Sequence, residues 1–366
     1  MQTINTILRY SQLFGAAPLQ SSKILQSLVQ SVWTILIVTF YSWCSYVLTR
    51  TSLENETLIS KITHTIYHIN QLLILAVILV CCQRFKYRYR SFFYKVSLII
   101  QDLLQEGHII NFEKMSLQHH RIMLGLLLLM ISKLFCEFII NKNLAIQQNG
   151  YLLVPFVLTI LCLSQYFFAM NLLRQILRTL NTIAKSFHEK DSNTNLSKLE
   201  FVQNTTMTTI VIVHDTVDSF GFVLLADSLA TLLGVLIQLY ELYDFWDLKE
   251  HPLEALDIAR VGSQLIWIFL QLCKLWMLLY PQSAVKYELK KIQQNICQIS
   301  AEHLQFKISK FSDALLLEED NFSTWGFVDL DLRAVGEMSN FLATYLIILI
   351  QFQEATKARK KGAVPH

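Results

Sequence analysis

Hydrophobic positions along the chain fall into seven long blocks separated by polar, charged stretches. Six reach the length of about 20 mostly apolar residues that a helix needs to cross a bilayer: 29–48, 62–82, 123–140, 152–173, 220–240 and 261–280. A seventh, 339–352, has a shorter pure run and extends to about residue 355. No period-two alternation of barrel type interrupts these blocks, and unpaired backbone groups are too costly in lipid for any other element, so each block predicts a helix. The expected fold is therefore an all-α polytopic membrane protein with seven transmembrane helices.

The segments between the blocks are patterned as well. Phe93, Val96, Ile100, Leu103 and Leu104 recur with a helical period after span 2, and Val285, Leu289, Ile292, Ile296 and Ile299 repeat the pattern after span 6. Spans 2, 4 and 6 are expected to continue beyond the membrane as amphipathic helices whose apolar stripes pack on one another or on another subunit. Residues 309–320 are acidic and read as a flexible connection. The chain divides as one seven-helix membrane domain, 1–366. Within it, 29–280 holds spans 1–6 with a ligand pocket and the helical extensions, 281–338 is a cytoplasmic connection, and 339–355 is the last helix.

Composition supports the membrane reading. Apolar residues form 53% of the chain and charged residues 16%, against about 25% charged in a soluble globule. With a net charge of +3 and no basic tract interleaved with aromatics, nucleic acid is not an expected partner. Lys and Arg set the orientation. With the N-terminus inside, 20 of the 31 basic residues fall in cytoplasmic segments, 9 in outside segments and 2, Lys133 and Lys274, within spans. The cluster Arg84, Lys86, Arg88 and Arg90 directly after span 2 carries the most weight, and the C-terminal Lys357, Arg359, Lys360 and Lys361 oppose it. The expected topology is N-terminus inside and C-terminus outside. Asn55 then sits in an outside loop as a glycosylation sequon, whereas the sequons at Asn195, Asn204 and Asn321 lie inside. The seven cysteines offer no outside pair, and no structural disulfide is expected.

The last block carries a specific pattern. Gly326-Phe327-Val328-Asp329-Leu330-Asp331-Leu332 precedes it, and it contains Thr344-Tyr345, five apolar residues 346–350, then Gln351-Phe352. This resembles the C-terminal signature of insect gustatory receptors. The resemblance implies a tetrameric, ligand-gated, non-selective cation channel, a homo- or hetero-tetramer with related subunits, in the plasma membrane of sensory neurons and opened by a small-molecule tastant. The sugar-receptor branch usually has an acidic residue after Thr-Tyr, where this chain has Leu346, so the resemblance implies a bitter or other aversive tastant. A helix advances 100° per residue, which places Thr344, Ile348 and Gln351 on one face with Phe352 beside them. Under the resemblance that face lines a pore: Ile348 closes it by dewetting, and Gln351 presents amide dipoles to a passing cation. Read without the resemblance, Thr344 and Gln351 equally suit hydrogen bonding to neighbouring helices.

Candidate ligand-binding residues are the polar and aromatic side chains within spans 2 to 6. Span 2 presents His64, Tyr67 and His68 on one face, suited to a cavity lining or to helix–helix hydrogen bonds. Two His at i, i+4 chelate metal only with further ligands, and none accompanies them, so neither a metal nor another cofactor is expected. Tyr151 and Phe156 on span 4 and Gln264 and Trp267 on span 6 supply aromatic walls with few polar groups. Asp227 on span 5, with Thr231, lies near the midplane, where an ionisable group marks function or pairs with Lys274. Lys133 and Glu137 are spaced as a buried i, i+4 ion pair. The alternative class is a seven-helix G-protein-coupled receptor of opposite topology. An enzyme is not expected, because the chain has no His-Glu-x-x-His, Gly-x-Ser-x-Gly or phosphate loop.

Overall fold

The computed structural model describes residues 58–84, 86–140, 142–187, 192–247, 255–299, 304–320 and 331–362, together with isolated residues between 32 and 43; side chains at 58–64, 67–68, 82–90, 142–154, 192–195, 255, 319–320 and 356–362 are not described. Eight helices follow in order: α1 (Leu58–Arg84), α2 (Lys86–Gln105), α3 (Phe112–Ile140), α4 (Lys142–Lys185), α5 (Ser192–Asp247), α6 (Ala255–Cys297), α7 (Gln305–Asp320) and α8 (Ala334–Gly362). The described residues include no strand. Six of the seven expected spans lie inside these helices. Of the first, only Val32, Ile35, Leu36, Thr39, Phe40, Ser42 and Trp43 are described, all helical. Asn55 lies outside the described residues.

The α4 helix is the core. Leu163, Tyr166, Phe167, Met170, Leu173, Ile176, Leu177 and Leu180 are all buried, and they leave no wide polar face, as befits a helix enclosed by others. α1, α3, α5 and α6 pack around it. α3 is peripheral and exposes Leu124, Leu127, Leu128, Ile131 and Phe135, a surface that suits lipid.

Three helices are too long for a bilayer. At 1.5 Å per residue, the 56 residues of α5 span about 84 Å, and the 44 and 43 residues of α4 and α6 about 65 Å each, against a hydrocarbon core of about 30 Å. The extensions foreseen for spans 4 and 6 are continuous with them. That of span 5 was not foreseen. Its helix begins at Ser192, where Leu199, Val202, Ile210 and Val213 keep an apolar face through polar sequence. After span 2 the extension is α2, buried through Val96, Ile99 and Leu103 and tied to α5 by Lys95–Asp215 at 2.7 Å, with Leu104 exposed.

Residues 309–320, expected as a flexible connection, belong instead to α7. Its spacing explains the correction: Leu304, Ile308, Phe311 and Leu315 fall four, three and four apart and are all buried, a stripe that the acidic residues between them mask in composition. Polar contacts dock the helix on its neighbours: Lys307–Glu200 at 2.6 Å, His214–Glu318 at 2.9 Å, and the Gln293 amide donating to Ser312 Oγ at 3.1 Å.

Phe311 is fully buried and Phe306 is 81% exposed on the same helix. Phe311→Ala should destabilise the detergent-solubilised protein by about 3–5 kcal/mol, and Phe306→Ala by no more than about 0.5 kcal/mol. Thermal unfolding of the two variants checks this, and equal effects would mean that α7 is not docked by its stripe.

Candidate functional site

One polar and aromatic cluster joins four helices at membrane depth. Asp227 of α5 is fully buried, and its Oδ1 meets Lys274 Nζ of α6 at 2.8 Å. The Lys274 ammonium also lies 5.9 Å from the ring centroid of Phe156 on α4. Phe156 and Trp267 of α6 approach to 4.8 Å between centroids, and both are buried. Lys133 of α3 also reaches Trp267, its Nζ 5.0 Å from the ring centroid, while pairing with Glu137 at 3.0 Å. Glu137 in turn accepts from Ser263 Oγ at 2.6 Å. Each ammonium therefore meets a carboxylate and an aromatic face, an arrangement that holds charge where water is scarce.

The cluster is not saturated. Asp227 Oδ2, Thr231 Oγ1 and Gln271 Oε1 are buried without a hydrogen-bond partner among the described residues, and such groups normally find one. Gln264 lies further along α6, where its amide donates to Glu241 Oε2 at 3.4 Å and its Oε1 is also unpartnered. Of the sequence-predicted ligand residues, Phe156, Asp227, Thr231, Gln264 and Trp267 are thus buried or half-buried on α4, α5 and α6. The side chains of His64, Tyr67 and His68 on α1 and of Tyr151 on α4 lie outside the described ones.

Sequence reasoning read Lys133–Glu137 as a structural pair and did not connect it with Trp267. Two basic residues within spans, Lys133 and Lys274, were the available signal. Ser263 carried none beyond polarity.

The α8 helix is placed differently. It packs on α5, and among the described residues its apolar span is otherwise largely uncovered. Gln353 is buried and its amide donates to Asp244, while Tyr243 donates to Glu354 at 3.3 Å. Gln353 is 180° around the helix from Thr344 at 100° per residue, so the opposite face looks away from the chain. Thr344, Ile348, Gln351 and Phe352 are all exposed there. Leu346, on the far side, is half-buried.

These helices, their order and the solitary last span define a chemosensory receptor of the insect type. Residues 4–356 match the family model described as 7tm chemosensory receptor, and the chain belongs to that family. A stretch of 145 residues, 38% of the chain, is 30% identical to the gustatory receptor for sugar taste 43a of Drosophila melanogaster and covers 33% of that protein, so the match spans about a third of the relative's length. The fold resembles that of the insect olfactory receptor OR5 from Machilis hrabei in complex with eugenol, with a TM-score of 0.66 and 12% identity over 95% of this chain and 97% of that one. A second structure of the same receptor gives a TM-score of 0.61 and 13% identity over 96% of this chain and 97% of that one. The family is one of receptors, not enzymes, and the G-protein-coupled alternative is not favoured by this fold.

Removing one partner of a buried pair strands the other. Lys274→Met should therefore destabilise the detergent-solubilised receptor by about 3–5 kcal/mol, and Lys274→Met with Asp227→Leu by clearly less. Thermal unfolding of both tests the pair, and a double variant as damaged as the single would mean that Asp227 is held by other partners.

Proposed function

We propose that the chain is one subunit of a tetrameric, ligand-gated, non-selective cation channel of the plasma membrane of sensory neurons, built from identical or related subunits. The observation that carries this reading is the bare face of α8. Thr344 and Gln351 are polar, lie within an apolar span and are exposed among the described residues, and polar groups at membrane depth prefer protein or water to lipid. Four such faces around an axis would satisfy them. Exposed apolar side chains on α7, Leu316 and Leu317, favour a second contact between subunits outside the membrane. The basic-residue count supports an inside N-terminus and an outside C-terminus, which puts the long extensions of α4, α5 and α6 in the cytoplasm. An epitope at the C-terminus should then be detected on intact cells, and detection only after permeabilisation would reverse the assignment.

The ligand is a small-molecule tastant, and the cluster around Asp227, Thr231, Phe156, Trp267 and Gln264 is where it binds, with His64, Tyr67, His68 and Tyr151 completing the site. Leu346 after Thr344-Tyr345 favours a bitter or other aversive compound. A second reading, a sugar, is supported by the name of the Drosophila relative and by the unpaired acceptors at Asp227, Thr231 and Gln271, which sugar hydroxyls would satisfy. Calcium imaging with denatonium, caffeine, fructose and sucrose separates the two. Thr231→Val, which leaves the Asp227–Lys274 pair intact, should shift the half-maximal concentration at least fivefold with normal surface expression if the cluster touches the ligand. Lost expression would assign it to structure alone.

Amide dipoles hold monovalent cations loosely, whereas a carboxylate ring favours divalents. Gln351→Glu should raise relative calcium permeability, and Ile348→Ser should wet the constriction and leak current without ligand. Leu346→Ser, on the packed side, should leave selectivity unchanged. Reversal potentials in bi-ionic solutions decide. If both pore-face variants keep wild-type selectivity and stay closed at rest, α8 does not line the conduction path.

A further inference from the structure

The acidic stretch before the last span has a use that the channel reading does not assign. Asp331 opens the described segment leading into α8 and is buried, 3% exposed. Its Oδ2 accepts from Lys286 Nζ of α6 at 3.1 Å. Its Oδ1 accepts from the Arg333 amide at 2.8 Å, and its carbonyl from the Ala334 amide at 3.1 Å, so the same residue also starts the helix. Next to it, the Leu332 amide donates to Ser283 Oγ at 2.8 Å. Ser283 and Lys286 are three apart on α6 and therefore neighbours on one face. That face grips the base of α8 with one charge and one hydroxyl. Capping alone would need only the Arg333 contact, and it does not account for a lysine drawn into a buried position to meet Asp331.

The rest of α6 suggests what the grip is for. The same helix carries Trp267 and Lys274 of the ligand cluster. Pro281 lies inside it, two residues before Ser283, and the missing N–H removes one rung of the helix ladder, which makes this the place where α6 bends most readily. At its other end α8 is held to α5 by Gln353–Asp244 and Tyr243–Glu354. At the near end, Ser283 and Lys286 supply the contacts from α6 to the residues that lead into α8.

We propose that Lys286 and Asp331 are positioning residues for gating: they clasp the base of α8 to α6 and pass movement of α6 at the ligand cluster to the last helix. The proposal rests on the channel reading above. The test uses the full chain in cells challenged with fructose, sucrose, caffeine and denatonium. Lys286→Met and Asp331→Asn should each cut the evoked current at least tenfold, with surface density within twofold of wild type and unchanged sodium-to-potassium permeability. The exchange Lys286→Asp with Asp331→Lys should return the current to within threefold. Single variants with wild-type currents, or an exchange as silent as the singles, would overturn the clasp. A second readout needs no ligand. Ile348→Cys is modified by a charged methanethiosulfonate, and adding Lys286→Met, or the milder Ser283→Ala if the former does not reach the surface, should change that rate at least fivefold. An unchanged rate overturns the clasp even in a receptor silent to every tastant, whereas silence with a changed rate counts against the channel reading alone.

Discussion

Asp227 lies fully buried between α5 and α6, and its carboxylate reaches Lys274 at 2.8 Å. Neither charge is tolerable alone at that depth, since a side chain stranded in hydrocarbon costs several kcal/mol, about 3 even on the gentlest scales. The pair therefore fixes the rotation of two long helices, and the neighbouring side chains follow from it. Phe156 shares the ammonium of Lys274, and Trp267 packs on Phe156 with the rings tilted and lies under the ammonium of Lys133. Lys133 needs Glu137, which binds Ser263 back on α6. Four helices are thus registered by two ion pairs and two rings. The same demand, that polar groups in lipid meet a partner, is left unanswered at the exposed face of α8, and it is this asymmetry that points beyond the single chain.

The helices were largely legible in the sequence because lipid imposes a coarse rule: a long apolar run, little else. Six of seven expected spans fall within described helices. What escaped the sequence were features set by packing. The reach of α5 back to Ser192 and the docking of α7 depend on apolar stripes diluted by threonine, asparagine and acidic residues, where a few buried positions such as Val202, Val213 and Phe311 outweigh composition. Among site residues, Asp227 and Lys274 were legible because each is rare within a span. That Lys133 completes the same cluster depends on how α3 turns against α6, which no spacing within α3 encodes. The outward turn of Thr344, Ile348 and Gln351 was legible as a shared face, while its direction depends on Gln353 anchoring the opposite side to Asp244.

The buried cluster and the last helix sit apart, and besides α5, which holds both Asp227 and Asp244, the element that touches both is α6. It contributes Trp267 and Lys274 to the buried cluster, and Ser283 and Lys286 to the start of α8. A receptor that converts binding into conduction needs such a continuous element, because packed interiors transmit displacement rather than absorb it. The loosely covered α8 is the part with room to respond.

The central claim is that α8 meets its own copies through the Thr344 face. Oxidative cross-linking of Thr344→Cys in intact membranes, with Leu346→Cys as the opposite-face comparison, tests it most directly. The account predicts covalent dimers of about twice the 42.5 kDa chain from Thr344→Cys and few from Leu346→Cys, since near neighbours around a common axis bring their thiols together. Equal cross-linking from both positions, or dimers from Leu346→Cys alone, would contradict it.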